Sequence, residues 1–409
     1  MNKIPNADYV KNPCNKNESW QGVGHLQPGG YGRRNQFGVD FNTYGKTWTG
    51  EFCMLDSDND GRTNGEELGD PTCIWTPGTV LNIDPDTITH PDTKNVTITF
   101  PKLSVPQQET THKCMVFEFP QDGDFHMVAT QPLIDNKKVM HHITVFGCEN
   151  DKEPKYGVGE VHECGFAFDP ACHDLLSVWV LGVDGECMHG NTGFRIGNHG
   201  YRRGGIQLHW ENQQLLPDEV DGSGITIFYT DQRRLFDAGV LFIGQQYMNI
   251  PPRTKSHVEV GHCYPECTER KWSKDLHITF ALNHMHYLGQ NMKIEHLRNG
   301  EVIHIITDEH NYDFDSPLMH IFKDPIVVSP GDEIRTTCVF DSTTRDVTTR
   351  AGAGYMEEMC YGFLTFYPKQ AVSNGATSCT SWKQVPYCRF ELDDEVNGCD
   401  FKKVREVSY

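Results

Sequence analysis

The sequence predicts a mainly β protein: two β-sandwich domains preceded by a small, loop-rich module held by disulfides. Three observations carry this. Glycine (38) and proline (22) are abundant among 409 residues, so turns are frequent. Long stretches with the 3.6-residue period of a helix are scarce. Short runs instead alternate apolar and polar side chains, as strands with one buried face require.

The first 80 residues are rich in Gly and Asn and show little alternation, so residues 1–80 form the first module. A Pro/Gly/Asp stretch, Thr76-Pro77-Gly78 and Asp84-Pro85-Asp86, marks its end. Alternating runs follow: Val96 to Phe100, Ile206 to Trp210 and Ile225 to Tyr229, which place a first sandwich at residues 81–240. A second set, His277 to Ala281, Lys293 to Leu297 and Val302 to Ile306, places another at residues 241–370. Residues 371–409, with Cys379, Cys388 and Cys399, read as a loop pinned by disulfides.

Hydrophobic residues at 37% and charged residues at 22% are ordinary for a folded chain. The 56 acidic and 36 basic residues give a net charge of -20, a surface that repels nucleic acid. Fifteen cysteines, scattered rather than set in CxxC pairs, indicate a disulfide framework in an oxidising compartment. Their odd number leaves at least one thiol outside an intrachain pair. The sequons Asn17-Glu18-Ser19 and Asn95-Val96-Thr97 agree with a secreted glycoprotein. Met1 to Pro5 shows no apolar leader, so no signal peptide is visible. The longest apolar stretch, Leu175 to Val183, is too short to span a bilayer. The expected location is extracellular or the lumen of a secretory vesicle.

Asp56-Ser57-Asp58-Asn59-Asp60-Gly61, followed by Glu67, fits the twelve-residue calcium-loop pattern. Asp56, Asp58 and Asp60 can converge on one hard ion, Gly61 allows the sharp turn, and Glu67 can close the shell. The alternative is a solvated acidic turn. Flanking helices of EF-hand length are not apparent, so a single structural Ca2+ is expected. Ile4-Pro5-Asn6, Asn12-Pro13-Cys14, Gly22-Val23-Gly24-His25, Arg34 to Phe41 and Asp56 to Cys73 make residues 4–77 similar to temptin, a small secreted pheromone protein of molluscs. That resemblance implies a disulfide-bonded extracellular module.

With twenty histidines, neither His141-His142 nor His284-Met285-His286 carries meaning by itself, because such pairs arise by chance at this frequency. Their setting is more telling. His284 and His286 follow an alternating strand, and residues two apart share a face. His141 and His142 would point to opposite faces of a regular strand, so they can share a metal only at an irregularity or a strand end. His209 offers a third imidazole to that pair, and Met359 a thioether to the other. Imidazoles suit zinc, copper or iron, whereas a thioether favours Cu(I). Each residue taken singly is more often ordinary core.

Residues 95–370 resemble the copper type II, ascorbate-dependent monooxygenases. The carrying motifs are Cys114 to Phe117, His141 to Cys148, Gln207-Leu208-His209, His284 to Gly289, Arg335 to Phe340, and Glu358-Met359-Cys360. The resemblance implies two jelly-roll domains, each offering one copper across a solvent-filled cleft. His141, His142 and His209 would hold the copper that relays electrons from ascorbate, with Gln207 as a supporting residue. His284, His286 and Met359 would hold the copper that binds O2. It also implies the disulfides Cys114–Cys164, Cys148–Cys172 and Cys338–Cys360, the last locking the strand carrying Met359 beside its neighbour. Cys263 and Cys267 are expected to pair into the tail.

The peptide-amidating branch anchors a carboxylate through residues that are Leu282, Tyr361 and Phe363 here. Phe366-Tyr367-Pro368 matches instead the branch that includes dopamine β-hydroxylase. The expected activity is therefore copper-dependent, ascorbate-driven hydroxylation of a small aromatic molecule with O2. Two other classes compete: a non-catalytic extracellular binding protein on the same scaffold, and a zinc hydrolase using one three-histidine site. The full ligand set argues against the first and the thioether against the second.

Overall fold

The computed structural model describes residues 3–387 except 16, 82, 166–167, 315, 353–355 and 373–377, and the backbone of 395–396 and 399–400. The chain divides into two compact units, Met1–Asp237 and Ala238–Tyr409. Strands dominate both, as the sequence predicts.

Among its described residues the start of the first unit carries no strands, and it folds around aromatic side chains. Phe37, Phe52, Trp48, Trp20 and Leu68 are buried together. Short helices present them: Gln36–Thr43 capped by the Asn35 side chain, and Gly50–Cys53 capped by Thr49. Gly38 is required because the helix backbone lies against Gly24; a Cβ there would sit 2.0 Å from the Gly24 carbonyl oxygen. Disulfide Cys53–Cys73 closes this core, and Cys14–Cys187 ties it to the strands that follow.

Two main sheets dominate the remainder of the first unit. One runs in the order Val161–Glu163, Thr110–Glu118, Arg203–Glu211, Met140–Gly147, Asp174–Val180. The other centres on Asp124–Leu133, between Gly224–Thr230 and Thr192–Gly197. Disulfides Cys114–Cys164 and Cys148–Cys172 form as expected and share a buried cluster with Val116 and Phe168.

Between the two sheets, Thr130 hydrogen-bonds Ser177 (2.8 Å), whose hydroxyl donates to the buried Glu186 carboxylate (2.8 Å). Burial pushes Glu186 up to about 7 from the usual 4.5, against the Ser177 hydrogen bond. As pH rises from 4.5 to 7, the unfolded chain ionises before the folded one, so stability falls and the loss is complete above 7. Glu186→Gln is expected to remove that slope, gaining at most about 3 kcal/mol at pH 8 and little at pH 4. Thermal unfolding at both pH values checks this.

The second unit also has two main sheets. The larger runs Met319–Val328, Leu276–His284, Cys360–Tyr367, Gly239–Gln245, Ser378–Trp382, Val385–Tyr387. The smaller runs His257–Cys263, Glu333–Phe340, Gly289–Arg298, Glu301–Glu309. Leu241, Ile243, Ile278, Ile294, Phe340 and Leu364 belong to one core.

Two expectations need correction here. The stretch after residue 370 is not loop throughout: Ser378–Trp382 pairs in parallel with Gly239–Gln245, held by Cys263–Cys379. Cys267 is also disulfide-bonded, while Cys388 and the Cys399 side chain lie outside the described residues. Cys338–Cys360 forms, but it joins the two sheets rather than neighbouring strands. Phe366 is fully buried in the core, and Tyr367 stacks on His277 (4.8 Å).

Candidate metal centres

The first histidine set is built by strand register. In the antiparallel sheet His209 lies directly opposite His112 on one side and His142 on the other. Residues in such a cross-strand row share a face, so three imidazoles line up. His141 joins them through an irregularity: the register slips after His209, so that Trp210 faces Met140 and His141 is the extra residue. This is the condition that an adjacent pair needs to reach one point. His142 Nδ1 lies 3.1 Å from His141 Nδ1 and 3.2 Å from His209 Nδ1. His141 and His209 are buried.

The next rung beneath is Cys114, Gln207 and Thr144. Gln207 accepts from Thr144 Oγ1 (3.1 Å) and donates to the Gly165 carbonyl (2.7 Å) beside the Cys114–Cys164 disulfide. It fixes the spacing of the three strands below the histidine row.

The second set sits where two strands of the larger sheet of the second unit end. His284 closes Leu276–His284, and Met359 immediately precedes Cys360–Tyr367, with His284 opposite Tyr361. The His284 and His286 rings are 5.4 Å apart and nearly perpendicular. His286 Nδ1 lies 2.9 Å from the Glu357 carbonyl, which can only accept. Nδ1 therefore carries the proton in the neutral ring, and Nε2 bears the lone pair that a metal needs.

Glu358 holds this arrangement. Its carboxylate accepts from the amides of His286 (2.8 Å), Leu288 (2.7 Å) and Met359 (3.3 Å), joining the His-Met-His turn to the methionine. Burial pushes Glu358 up to about 7, opposed by those three hydrogen bonds. Behind the turn, Tyr312 Oη accepts from the Met285 amide (3.0 Å) and donates to its carbonyl (2.8 Å). Aromatic rings surround the histidines: Phe314 is 5.4 Å from His286, and Phe363 is 6.0 Å from His284. Phe242 packs on both Tyr361 (4.4 Å) and Phe363 (5.4 Å).

The acidic loop of the first module is a third cluster. Oxygens of Asp56, Asp58 and Asp60 lie within 4.8 Å of one another. Asp56 accepts from the amides of Asp60 (3.2 Å) and Gly61 (2.9 Å), and Gly61 has φ +92°. The flanking helices, Gly50–Cys53 and Asn64–Glu67, are four residues each, too short for an EF-hand pair. Asp58 and Glu67 are each 1% exposed, and Asp58 Oδ2 and Glu67 Oε2 have no hydrogen-bond partner. Burial and the neighbouring carboxylates raise Asp58 to about 7 and Glu67 to about 9.

Two residues of these centres escaped the sequence reading. His112 stands two positions before Cys114, at the edge of a quoted motif, but only cross-strand register brings it to His209. Glu358 lay inside a motif without a role, since its hydrogen bonds depend on tertiary contacts.

Residues 96–217 match the model of the copper type II ascorbate-dependent monooxygenase N-terminal domain, and residues 236–388 match its C-terminal domain. Residues 1–93 match the temptin C-terminal model. The chain is 30% identical to DBH-like monooxygenase protein 1 of Gallus gallus over 285 residues, 65% of this chain and 46% of that one. It is 28% identical to human dopamine beta-hydroxylase over 285 residues, 66% of this chain and 45% of that one. It is 30% identical to MOXD1 homolog 1 of Drosophila melanogaster over 287 residues, 65% of this chain and 41% of that one. The chain thus spans about half the length of the curated relatives it matches.

Proposed function

Because the chain belongs to the copper type II, ascorbate-dependent monooxygenase family, we propose that it is an active member that hydroxylates a C–H bond of a small aromatic molecule. Two observations support this reading: the bulge that brings His141 beside His142 and His209, and the Glu358 carboxylate that ties the His284-Met285-His286 turn to Met359.

His141, His142 and His209 hold one copper, and His284, His286 and Met359 hold the other. Bound copper supplies one-electron chemistry: electrons from ascorbate activate O2 for insertion into the substrate. The chain does the rest. Met359 would supply a thioether to the second copper, a donor that favours Cu(I). The Glu357 carbonyl fixes the His286 tautomer, so that Nε2 faces the metal. Phe314 and Phe363 set apolar rings beside His286 and His284, which suits an aromatic substrate. The disulfides suit an oxidising compartment, the cell exterior or a vesicle lumen. Oxygen uptake by the copper-loaded chain with ascorbate, across a panel of phenylethylamines and other small aromatics, tests this. Uptake that rises with at least one of them supports it; no substrate-dependent uptake with any of them turns attention to a binding role.

The acidic loop holds one structural Ca2+, with Asp56, Asp58, Asp60 and Glu67 as ligands. Two buried carboxylate oxygens without partners are costly unless a cation meets them. Ca2+ is expected to raise the melting temperature, and Asp58→Asn to weaken that response at least about 10-fold in Ca2+ concentration. Both carboxyls titrate high when the cation is absent, so protons compete with it, and the stabilisation should be small at pH 5 and large at pH 8. Calcium titrations followed by calorimetry at the two pH values check the sign.

A further inference from the structure

The first centre contains one more imidazole than its proposed copper requires. His112 stacks on His209 with ring centroids 4.2 Å apart and planes 8° from parallel. His112, His142 and His209 each offer a ring nitrogen, and these lie within 4.8 Å of one another. The row is fixed by register, since His209 is the direct cross-strand partner of both other residues. His112 is partly exposed.

We infer that His112 is a fourth imidazole ligand of the first copper, engaged in the cupric state; this rests on the reading of His141, His142 and His209 as a copper site. Nitrogen donors around one metal, each about 2 Å from it, stand about 3 to 4 Å apart, so the ring nitrogens need to close by at most about 1 to 2 Å. Cu(II) takes a tetragonal shell of four such donors, whereas Cu(I) is satisfied by fewer. A fourth imidazole therefore stabilises the cupric ion selectively. It also fills the shell, which confines O2 binding to the centre of His284, His286 and Met359 and leaves the first copper to pass electrons.

The test uses the full chain carrying His284→Ala, so that only the first centre loads, with and without His112→Phe. Phenylalanine keeps a flat ring against His209 and removes the nitrogen. The expected result is a cupric electron paramagnetic spectrum with one fewer coupled nitrogen and a Cu(II) affinity lower by about 10- to 100-fold. Cu(I) affinity should stay within about two-fold, so the reduction potential rises. His112→Gln should behave the same way and covers the case in which the phenylalanine variant does not fold. An unchanged cupric spectrum and affinity would overturn the inference. So would an equal loss for both oxidation states, which marks a packing role. If the His284→Ala parent binds no copper, the underlying copper reading fails together with this one. If His141→Ala abolishes binding while His112→Phe changes nothing, only the fourth ligand is lost.

Discussion

His284→Ala should leave the chain with one bound copper instead of two and reduce ascorbate-driven, substrate-dependent O2 uptake to background. His284 is the last residue of its strand and is only partly buried, with its ring beside His286 and Phe363. Its loss therefore removes a ligand without emptying a packed site, and the fold should persist. Outer partners of metal ligands are worth about 10- to 100-fold in affinity, so loss of one of three ligands should cost more than that. The first copper should stay bound, since its ligands lie on another sheet. Metal analysis of the purified variant, beside circular dichroism to show the fold intact, reads both halves of the expectation. Retention of two coppers with full uptake would remove His284 from the centre.

Glu358→Ala should have the largest effect on stability and disable the same centre. Three backbone amides lose their acceptor, and each buried unsatisfied donor costs about 1–3 kcal/mol. The carboxylate's own burial is unfavourable, as its position near 7 shows, and its removal offsets part of this. A net loss of about 2–4 kcal/mol, or on the order of 10 °C in Tm, is expected. Glu358→Gln keeps a carbonyl oxygen for the His286 and Met359 amides but turns its NH2 toward the Leu288 amide, so it should recover part of the stability. If alanine and glutamine variants unfold alike, the amide bonds are not what Glu358 contributes. Copper affinity at the second centre should follow the same order: wild type, glutamine, alanine.

What the sequence made legible follows the range of each interaction. Alternation is local, so runs such as Ile206 to Trp210 and His277 to Ala281 fall within the strands they predict. The need for an irregularity at His141-His142 could be stated from side-chain alternation alone; that it is a slip opposite His209 and Trp210 could not. His112 was invisible because its neighbour is 97 positions away in sequence and is fixed only by pairing. The strand Ser378–Trp382 looked like loop because it is an added strand in parallel pairing, supported by Cys263–Cys379 from a distance. Phe366, part of the motif that follows Met359, turns into the core. Phe363 and Phe314 supply the rings beside the histidines instead.

The central claim is that this one chain carries two distinct copper centres. The most direct measurement is the copper content per chain of the reconstituted protein, taken together with the single variants His209→Ala and Met359→Ala. The account predicts two coppers in the wild type and one in each variant, with the remaining copper lacking sulfur coordination in Met359→Ala and retaining it in His209→Ala by X-ray absorption. A wild-type content of one or none, or loss of both metals in either variant while the fold persists, would contradict it.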